Sequence, residues 1–420
     1  MERQYKDSGI EWIGRIPKDW KTTKLGALYT QRYEKVSDKD YAPLSVTMQG
    51  ILPQLETAAK TDDGDNRKLV RKGDFAINSR SDRRGSCGVS PYDGSVSLIN
   101  TILKPRGEMN PNYYNWLFHT SLFADEFYKW GHGIVDDLWT TRWQEMKNIS
   151  VVVPSLEIQQ QIANYLDKKC SKIDSLIALQ EQMIAQLTDY KQSVITEAVT
   201  KGLNPDAELI PSGIDWIGDI PKGWKATKIS NLAKTNSGST PKCIINDSNS
   251  KIIWVRTVDI NEDEVITSSN KLTDNEFINA SCPMLEPGTC VVAMYGGAGT
   301  IGKSGILKVK ATINQALCSM ETRGNCFNYY LFYVLRALRP HWMKYAVGTR
   351  KDPNINQEIV KRMNIPLPPL SEQQAIVSFL HSKCSEIDKL IALKQKKIEA
   401  LKEYKKSIIY EAVTGKTIID

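Results

Sequence analysis

The sequence lacks the paired cysteines and clustered histidines that build zinc sites and disulfide frameworks. Its eight cysteines are scattered without a C-x2-C pair, and none of its four histidines lies near them in a group. Both kinds of framework need cysteine or histidine ligands at short, regular spacing. We therefore expect a protein without a structural metal that is kept in a reducing compartment.

Long hydrophobic runs are also missing. No apolar stretch approaches the roughly 20 residues of a membrane span. The first residues, "MERQYKDSGIEWIG", contain no apolar core of a signal peptide. These features predict a cytoplasmic protein without a membrane partner.

Length and charge favour a globular chain. Its 420 residues are 41% hydrophobic and 25% charged, a composition suited to about two to four ordinary domains. Its 55 lysines and arginines exceed its 48 acidic residues, which leaves a net charge of +7. An excess of this size fits a polyanionic partner and equally fits a protein with none.

Internal repetition is the most informative feature of the chain. "SGIEWIGRIPKDWKTTKL" (8–25) recurs as "SGIDWIGDIPKGWKATKI" (212–229), with 13 of 18 positions identical. Residues 154–200 recur as 368–414, with 25 of 47 positions identical. The chain is thus one unit used twice. The tryptophans of the first repeat, which we call the tryptophan segments, are interpreted as packing residues: Trp12, Trp20, Trp216 and Trp224.

The second repeat carries a sustained heptad pattern. Two rows of residues at period seven predict a helix with a coiled-coil seam in each copy. Ser155 and Ser371 are expected to cap the helices, and Gly202 and Gly415 to end them. The predicted seam residues are Leu166, Ile173, Ile177, Ile184, Leu187, Leu380, Ile387, Ile391, Ile398 and Leu401.

The shared register suggests that the two helices pack on each other. If the region between them is compact, they run antiparallel. We therefore predict an α+β protein with two α/β domains related by an approximate two-fold axis and separated by an antiparallel coiled coil. The expected segments are residues 1–150, a long helix in 151–203, a second domain in 204–364 and a second helix in 365–420.

The stretch "YGGAGTIGKS" (295–304) matches both a phosphate-binding P-loop and a dinucleotide fingerprint. Either motif needs a helix after the glycines, because the helix N-terminus holds the phosphate. Here strand-like alternation follows Ser304, and the matching loop of the first copy, "RRGSCG", has no Gly-Lys-Ser. The glycines are therefore expected to turn a loop between strands.

A second partial motif, "NPNY" (110–113), resembles the Asn-Pro-Pro-Tyr motif of amino-methyltransferases but lacks its second proline. No S-adenosylmethionine fingerprint accompanies it. We find no nucleophile, metal cluster or acid/base pair in the sequence, and expect no catalytic residues.

Basic and aromatic side chains are concentrated in the expected loops of both variable regions. Arginine and lysine neutralise phosphates, and arginine also makes bidentate bonds to guanine. The alternative for any one of them is an ordinary solvated charge. The candidate DNA-binding residues are Arg80, Arg83, Arg84, Lys242, Trp254, Arg256, Tyr295, Lys303, Arg350 and Lys351.

The order of these features resembles one known family. A "SGIEWIGRIPKDW" segment, a variable domain, "PSLEIQQQI" or "PPLSEQQAI", a long helix and "EAVT" occur twice. This arrangement resembles the specificity subunit of type I restriction-modification systems over essentially the whole chain. One departure is that Glu157 and Ile158 stand where the second copy has Ser-Glu.

The resemblance implies a non-catalytic subunit that recognises double-stranded DNA. In the family, two target recognition domains each bind one half of a bipartite asymmetric site, and the paired helices fix the spacer. Two modification (methyltransferase) subunits dock on this scaffold, and motor-nuclease restriction subunits join through them. S-adenosylmethionine, ATP and magnesium are accordingly expected on the partner subunits, with no cofactor on this chain.

Two other functions stay open at this point. One is a P-loop ATPase that uses Lys303, which a nucleotide-binding titration would detect. The other is a coiled-coil interaction protein that does not bind DNA, which would fail to protect a defined DNA site in complex with a methyltransferase.

Overall fold

The structure of the chain is a computed structural model that describes residues 4–54, 64–80, 84–133, 139–241, 250–297, 299–348 and 353–419. The chain forms two units. Unit 1 comprises Met1–Glu181 and Gln395–Asp420, and unit 2 comprises Gln182–Lys394. This division differs from the four segments predicted above because each unit takes one half of each long helix.

Unit 1 begins with a region of short strands and helices. The elements, in chain order, are β1 (Tyr5–Asp7), β2 (Arg15–Pro17), β3 (Lys21–Lys24), α1 (Leu25–Leu28), β4 (Tyr29–Gln31), β5 (Lys35–Val36), β6 (Leu44–Thr47), β7 (Gly50–Pro53), β8 (Arg67–Val70), β9 (Phe75–Asn78), β10 (Cys87–Val89), β11 (Gly94–Val96), β12 (Asn100–Pro105), α2 (Pro111–Phe118), α3 (Ser121–Lys129), α4 (Trp143–Met146) and β13 (Ser150–Val153). The strand order in its main sheet is β10-β9-β12-β4, and a second sheet has the order β11-β8-β5. Antiparallel pairing of β3 with β13 brings the two ends of the variable region together.

The long helix α5 (Leu156–Lys201) follows and leads into the second variable region. The next elements are β14 (Leu209–Pro211), β15 (Asp219–Pro221), β16 (Lys225–Lys228), α6 (Ile229–Leu232), β17 (Ala233–Ser237), β18 (Ile252–Val255), β19 (Glu264–Val265), β20 (Lys271–Leu272), α7 (Asp274–Ala280), β21 (Cys290–Ala293), β22 (Ser304–Leu307), β23 (Ala311–Ile313), β24 (Leu317–Thr322), α8 (Asn328–Leu338), β25 (Val347–Gly348), β26 (Pro353–Asn354), α9 (Gln357–Arg362), β27 (Asn364–Leu367) and the long helix α10 (Leu370–Val413). The main sheet of unit 2 has the order β17-β24-β21-β22-β19, and a smaller sheet has the order β20-β18-β23. Strands β16 and β27 close this region as β3 and β13 close the first.

The two long helices pair antiparallel, which confirms the predicted α+β class and its helical pair. In unit 1, the Lys405 ammonium lies 2.7 Å from the Asp174 carboxylate. In unit 2, the Lys191 ammonium lies 2.6 Å from the Asp388 carboxylate. Each lysine occupies a seam row and pairs across to the other helix, and polar seam residues of this kind specify register.

The predicted seam residues all turn away from solvent to some degree. Five are buried: Leu166, Ile173, Leu380, Ile387 and Ile398. The other five are half-buried: Ile177, Ile184, Leu187, Ile391 and Leu401. Cys170 and Cys384, at equivalent seam positions, are buried free thiols, and burial raises the pKa of Cys170 to about 11.

Each helix ends against a tryptophan segment. Gly202 has φ +75°, and a Cβ there would lie 3.2 Å from the Trp224 ring. Gly415 has φ +74°, and a Cβ there would lie 2.5 Å from Pro17 and 3.0 Å from the Trp20 ring. All four repeated tryptophans are buried. Their interpretation as packing residues is therefore correct, and the glycines allow the helix ends to approach them.

A buried glutamine joins the start of each long helix to its own unit. Gln159 Oε1 accepts a hydrogen bond from the Asn110 backbone N–H at 2.8 Å. Gln373 Oε1 accepts the same bond from the Phe327 N–H, also at 2.8 Å. Both Nε2 groups donate to the carbonyl of the proline five residues earlier. The first glutamine of each repeated Gln-Gln pair thus joins the start of the long helix to the variable region of its own unit by hydrogen bonds.

The helix starts differ in one detail from the expectation. The Ser155 hydroxyl accepts a hydrogen bond from the Ile158 N–H at 3.4 Å, consistent with an N-cap. The second helix begins at Leu370, so Ser371 lies inside the helix rather than at its cap. The prediction for Ser371 is wrong because Pro369 takes the position before the first helical residue, and its carbonyl accepts the bond from the Gln373 N–H at 3.0 Å.

Candidate nucleic-acid interface

The loop after β9 in unit 1 carries two of the candidate arginines. Arg80 is exposed and forms a β-bridge with Thr140. Arg84 is also exposed; its guanidinium pairs with the Asp125 carboxylate and lies 4.9 Å from the centre of the Tyr128 ring. This ion pair is solvated, so its contribution to stability is small. Both arginines therefore present cationic groups on the surface of unit 1.

An aromatic layer supports this loop. The rings of Tyr128 and Trp139 stack with centres 5.4 Å apart, and the Trp139 Nε1–H donates to the Tyr128 carbonyl at 3.0 Å. The Thr141 N–H donates to the Ser79 carbonyl at 3.0 Å. The segment 139–141 therefore lies directly beside the arginine-bearing loop.

The corresponding loop of unit 2 joins β21 to β22 and holds the glycine motif. We call its described residues, 294–297 and 299–303, the glycine loop. Strand β22 begins at Ser304 and pairs antiparallel with β21. The prediction of a loop between strands is confirmed, and the absence of a helix directly after Ser304 leaves the phosphate cradle of a P-loop incomplete.

The glycine at position 302 is explained by packing and backbone conformation. It has φ +80°, and a Cβ at this position would lie 2.2 Å from the Trp342 ring. Trp342 is fully buried beneath the loop. Tyr295 is 36% exposed and Lys303 is half-buried, so both reach the surface at opposite ends of the glycine loop.

Trp254 and Arg256 lie at the end of β18. Trp254 is 3% exposed and its Nε1–H donates to the Ser239 carbonyl at 3.2 Å. Arg256 is half-buried, with its guanidinium 5.9 Å from the Trp254 ring centre. Trp254 therefore packs beneath Arg256 in this conformation, and a role for it in DNA binding stays a prediction.

Backbone hydrogen bonds bring these segments of unit 2 to one place. The Asn314 N–H donates to the Val255 carbonyl at 3.0 Å, and the Met294 N–H donates to the Ala316 carbonyl at 2.7 Å. The Ile355 N–H in turn donates to the Met294 carbonyl at 3.0 Å, as Thr141 does to Ser79 in unit 1. The loop after β9 in unit 1 and the loop after β21 in unit 2 are thus each hydrogen-bonded to a segment that lies later in the chain.

Four candidates fall outside the described residues: Arg83, Lys242, Arg350 and Lys351. Their part in binding stays a prediction.

A charged group beneath the glycine loop was not predicted from the sequence. Glu262 accepts hydrogen bonds from Ser304 and lies near the guanidinium groups of Arg336 and Arg339. Burial raises the pKa of Glu262, and the two arginines oppose that rise. Its only sequence signal was an acidic residue within "DINEDEV", which is indistinguishable from a solvated loop.

The methyltransferase-like "NPNY" also has a structural explanation. The Asn110 side chain accepts hydrogen bonds from the N–H groups of Asn112 and Tyr113 at 2.9 and 3.1 Å. Pro111 occupies the first turn of α2, where proline is favoured. The motif is therefore a helix start.

Within the described ranges, no group of three or more histidine, cysteine, aspartate or glutamate residues is placed to hold a metal ion. No helix among the same residues is long and apolar enough to cross a membrane.

Comparison with known proteins gives a consistent match. Residues 221–403 match the type I restriction modification DNA specificity domain. The type I restriction enzyme MjaVIII specificity subunit of Methanocaldococcus jannaschii is 26% identical, with 96% of this chain and 94% of the relative covered. The type I restriction enzyme StySPI specificity subunit of Salmonella potsdam is 22% identical, with 87% and 82% covered.

Solved structures share the fold. A chain from a study of complex assembly and conformational transition of the type I R-M system is 15% identical, with a TM-score of 0.74 and coverage of 96% of this chain and 99% of that one. The HsdS subunit from Thermoanaerobacter tengcongensis is 16% identical, with a TM-score of 0.52 and coverage of 96% and 98%.

Residues 221–403 therefore carry a type I restriction modification DNA specificity domain, and the chain as a whole shares the fold of a type I R-M system chain. Over 96% of its length the chain is similar to proteins described as type I restriction enzyme specificity subunits. The family resemblance predicted from the repeated sequence is thereby confirmed.

Proposed function

We propose that each variable region recognises one half of a bipartite, asymmetric site on double-stranded DNA. The observation that carries this proposal is the matched placement of two loops that differ in chemistry. Unit 1 presents arginines after β9, and unit 2 presents the glycine loop after β21. Two equivalent positions with different side chains suit recognition of two different base sequences.

The long helices are proposed to fix the spacer between the half-sites. They contain 46 and 44 residues, and at about 1.5 Å per residue each is roughly 65–70 Å long. The cross-helix pairs Lys405–Asp174 and Lys191–Asp388 oppose sliding of one helix along the other. A fixed register would give a fixed spacer.

Repeated exposed side chains support the recruitment of two modification subunits. Apolar residues that are 44–63% exposed recur 214 positions apart: Leu176 and Leu390, Leu179 and Leu393, Tyr190 and Tyr404. The register places Leu176 opposite Tyr404 in unit 1, and Leu390 opposite Tyr190 in unit 2. Apolar residues that repeat without being buried indicate contact with two copies of one partner.

On this proposal the chemistry belongs to the partners. The modification subunits would bind S-adenosylmethionine and methylate adenine, and the motor-nuclease subunits would use ATP and magnesium. This chain would contribute selectivity and geometry.

The decisive experiment is to co-express the chain with its modification subunit in a host without adenine methylation. Single-molecule sequencing then reads the methylated motif directly. We expect two short defined sequences separated by a spacer of constant length. A single undivided motif, or methylation without sequence preference, would refute the proposal.

A separate test addresses recruitment. Replacing Leu176 and Tyr404 together with aspartate should reduce the number of bound modification subunits from two to one, because charges would be buried at the contact. Native mass spectrometry measures the stoichiometry. Ile418→Asp, at a residue 62% exposed in unit 1, is the control. Retention of two subunits by the double variant would exclude this face as the contact.

A further inference from the structure

The glycine loop contains its own turn, in which the Thr300 and Ile301 N–H groups donate to the Gly297 carbonyl at 3.0 and 3.1 Å, but three of its glycines have positive φ. Gly296, Gly297 and Gly302 have φ values of 115°, 80° and 80°. Glycine gives the backbone wide conformational freedom, and ordering such a loop on binding reduces affinity and selectivity. Contacts from outside the loop therefore add to the hydrogen bonds within it and favour one conformation for binding DNA.

Arg339 provides one restraint at the tip of the loop. It directly follows α8, and its Nη2 donates a hydrogen bond to the Gly299 carbonyl at 3.2 Å. Its Nη1 lies 3.1 Å from Glu262 Oε1. The planar guanidinium thus connects the loop tip to a carboxylate, and a paired guanidinium has little freedom to turn away.

Glu262 provides the second restraint at the end of the loop. Its carboxylate accepts hydrogen bonds from the Ser304 N–H at 3.3 Å and the Ser304 hydroxyl at 3.5 Å. Its own N–H donates to the Ser304 carbonyl at 3.1 Å. Its side chain is only 18% exposed. One carboxylate therefore binds Ser304, the first residue beyond the loop, and reaches the loop tip through Arg339.

The backbone of Glu262 has a strained conformation. Its φ is +61°, in the left-handed region that residues with a side chain seldom adopt. Such a conformation costs free energy and persists where surrounding contacts hold it. Here the contacts with Ser304 and Arg339 hold it.

We propose that Glu262 and Arg339 are positioning residues that set the selectivity of unit 2 for its DNA half-site by holding the glycine loop in its recognition conformation. This inference rests on the proposed function. The corresponding loop of unit 1 has a different support, the Arg84–Asp125 pair with Tyr128. Loss of the Glu262–Arg339 pair should therefore affect one half-site only.

The test uses the full chain co-expressed with its modification subunit, and single-molecule sequencing of methylated adenines. The variants are Glu262→Gln and Arg339→Ala. Discrimination between bases in one half-site should fall about tenfold, comparable to the loss of one base-specific contact. The other half-site should remain unchanged. Glu286→Gln is the matched control, because Glu286 pairs with Lys310 at 2.8 Å and is 62% exposed.

Each outcome decides the inference. A wild-type motif in Arg339→Ala would overturn it, as would equal loss at both half-sites. Arg339 is 35% exposed, so this variant keeps the fold even if Glu262→Gln does not, and thermal melting of the purified chain checks this. The wild-type motif tests the proposed function separately: a bipartite motif that the variants leave intact refutes only this inference.

Discussion

At the scale of single residues, the glycines of the P-loop-like stretch can be explained by backbone conformation and packing. The glycines of the P-loop pattern are Gly297 and Gly302; both have positive φ, but only Gly302 also lies against a buried ring. Glycine is required at position 302 because a side chain would meet Trp342 and the backbone has positive φ, whether or not the loop binds phosphate. The motif thus has a packing explanation that the sequence pattern alone does not reveal.

This gives a stability prediction. Gly302→Ala should lower the free energy of unfolding by about 2–4 kcal/mol, because the new Cβ meets Trp342 and the φ value is strained. Urea unfolding of the purified chain measures it. Gly299→Ala, where nothing lies within 4 Å of the added Cβ, is the control and should change stability by less than about 0.5 kcal/mol. Equal effects of the two substitutions would contradict the packing explanation.

At the scale of elements, the two long helices carry the repeated part of the sequence. Both helices have the same seam rows, the same hydrogen-bonded glutamine and the same terminal glycine. In each copy the glutamine and the glycine contact residues of their own unit. Each long helix is therefore attached to its variable region by the same contacts, although the two variable regions differ in sequence.

The element scale also sets a prediction about the spacer. We consider four residues inserted near Gln180 of α5 and four near Ile398 of α10, which lies opposite by the register of the ion pairs. The insertions should lengthen the helical pair by about 6 Å, or one to two base pairs at about 3.4 Å each. A coiled coil can absorb four residues as a stutter. The methylated motif should show a longer spacer and unchanged half-sites.

The control for this experiment is the same four residues inserted after Gly107, an open loop position. It should leave the spacer unchanged. If the helix insertions give a folded, active protein with the original spacer, the helices serve only as docking surfaces.

At the scale of the whole molecule, the repeated flanks and different variable regions predict modular recognition. Exchanging residues 21–150 for the matching region of a relative should change one half-site of the methylated motif and leave the other intact. The antiparallel pairing of β3 with β13 closes this region at both ends, which allows its transfer as one piece. A change in both half-sites would mean that the two regions do not act independently.

The duplication, the α+β class, the antiparallel helices and the resemblance to type I specificity subunits could all be predicted from residue order. These depend on periodic and repeated patterns, which survive in the order of residues because each copy must bury the same seam. Residue order also predicted that the glycine stretch joins two strands, since the alternation after Ser304 has period two.

The contacts that support the candidate loops could not be predicted from residue order and depend on the tertiary fold. Glu262 and Arg339 are 77 positions apart by their residue numbers, and no local pattern connects an acidic loop residue with the end of a helix. The same holds for Gly302 beneath Trp342 and for the burial of Trp254 under Arg256. Such contacts depend on how sheets and helices meet in space, so residue order alone does not specify them.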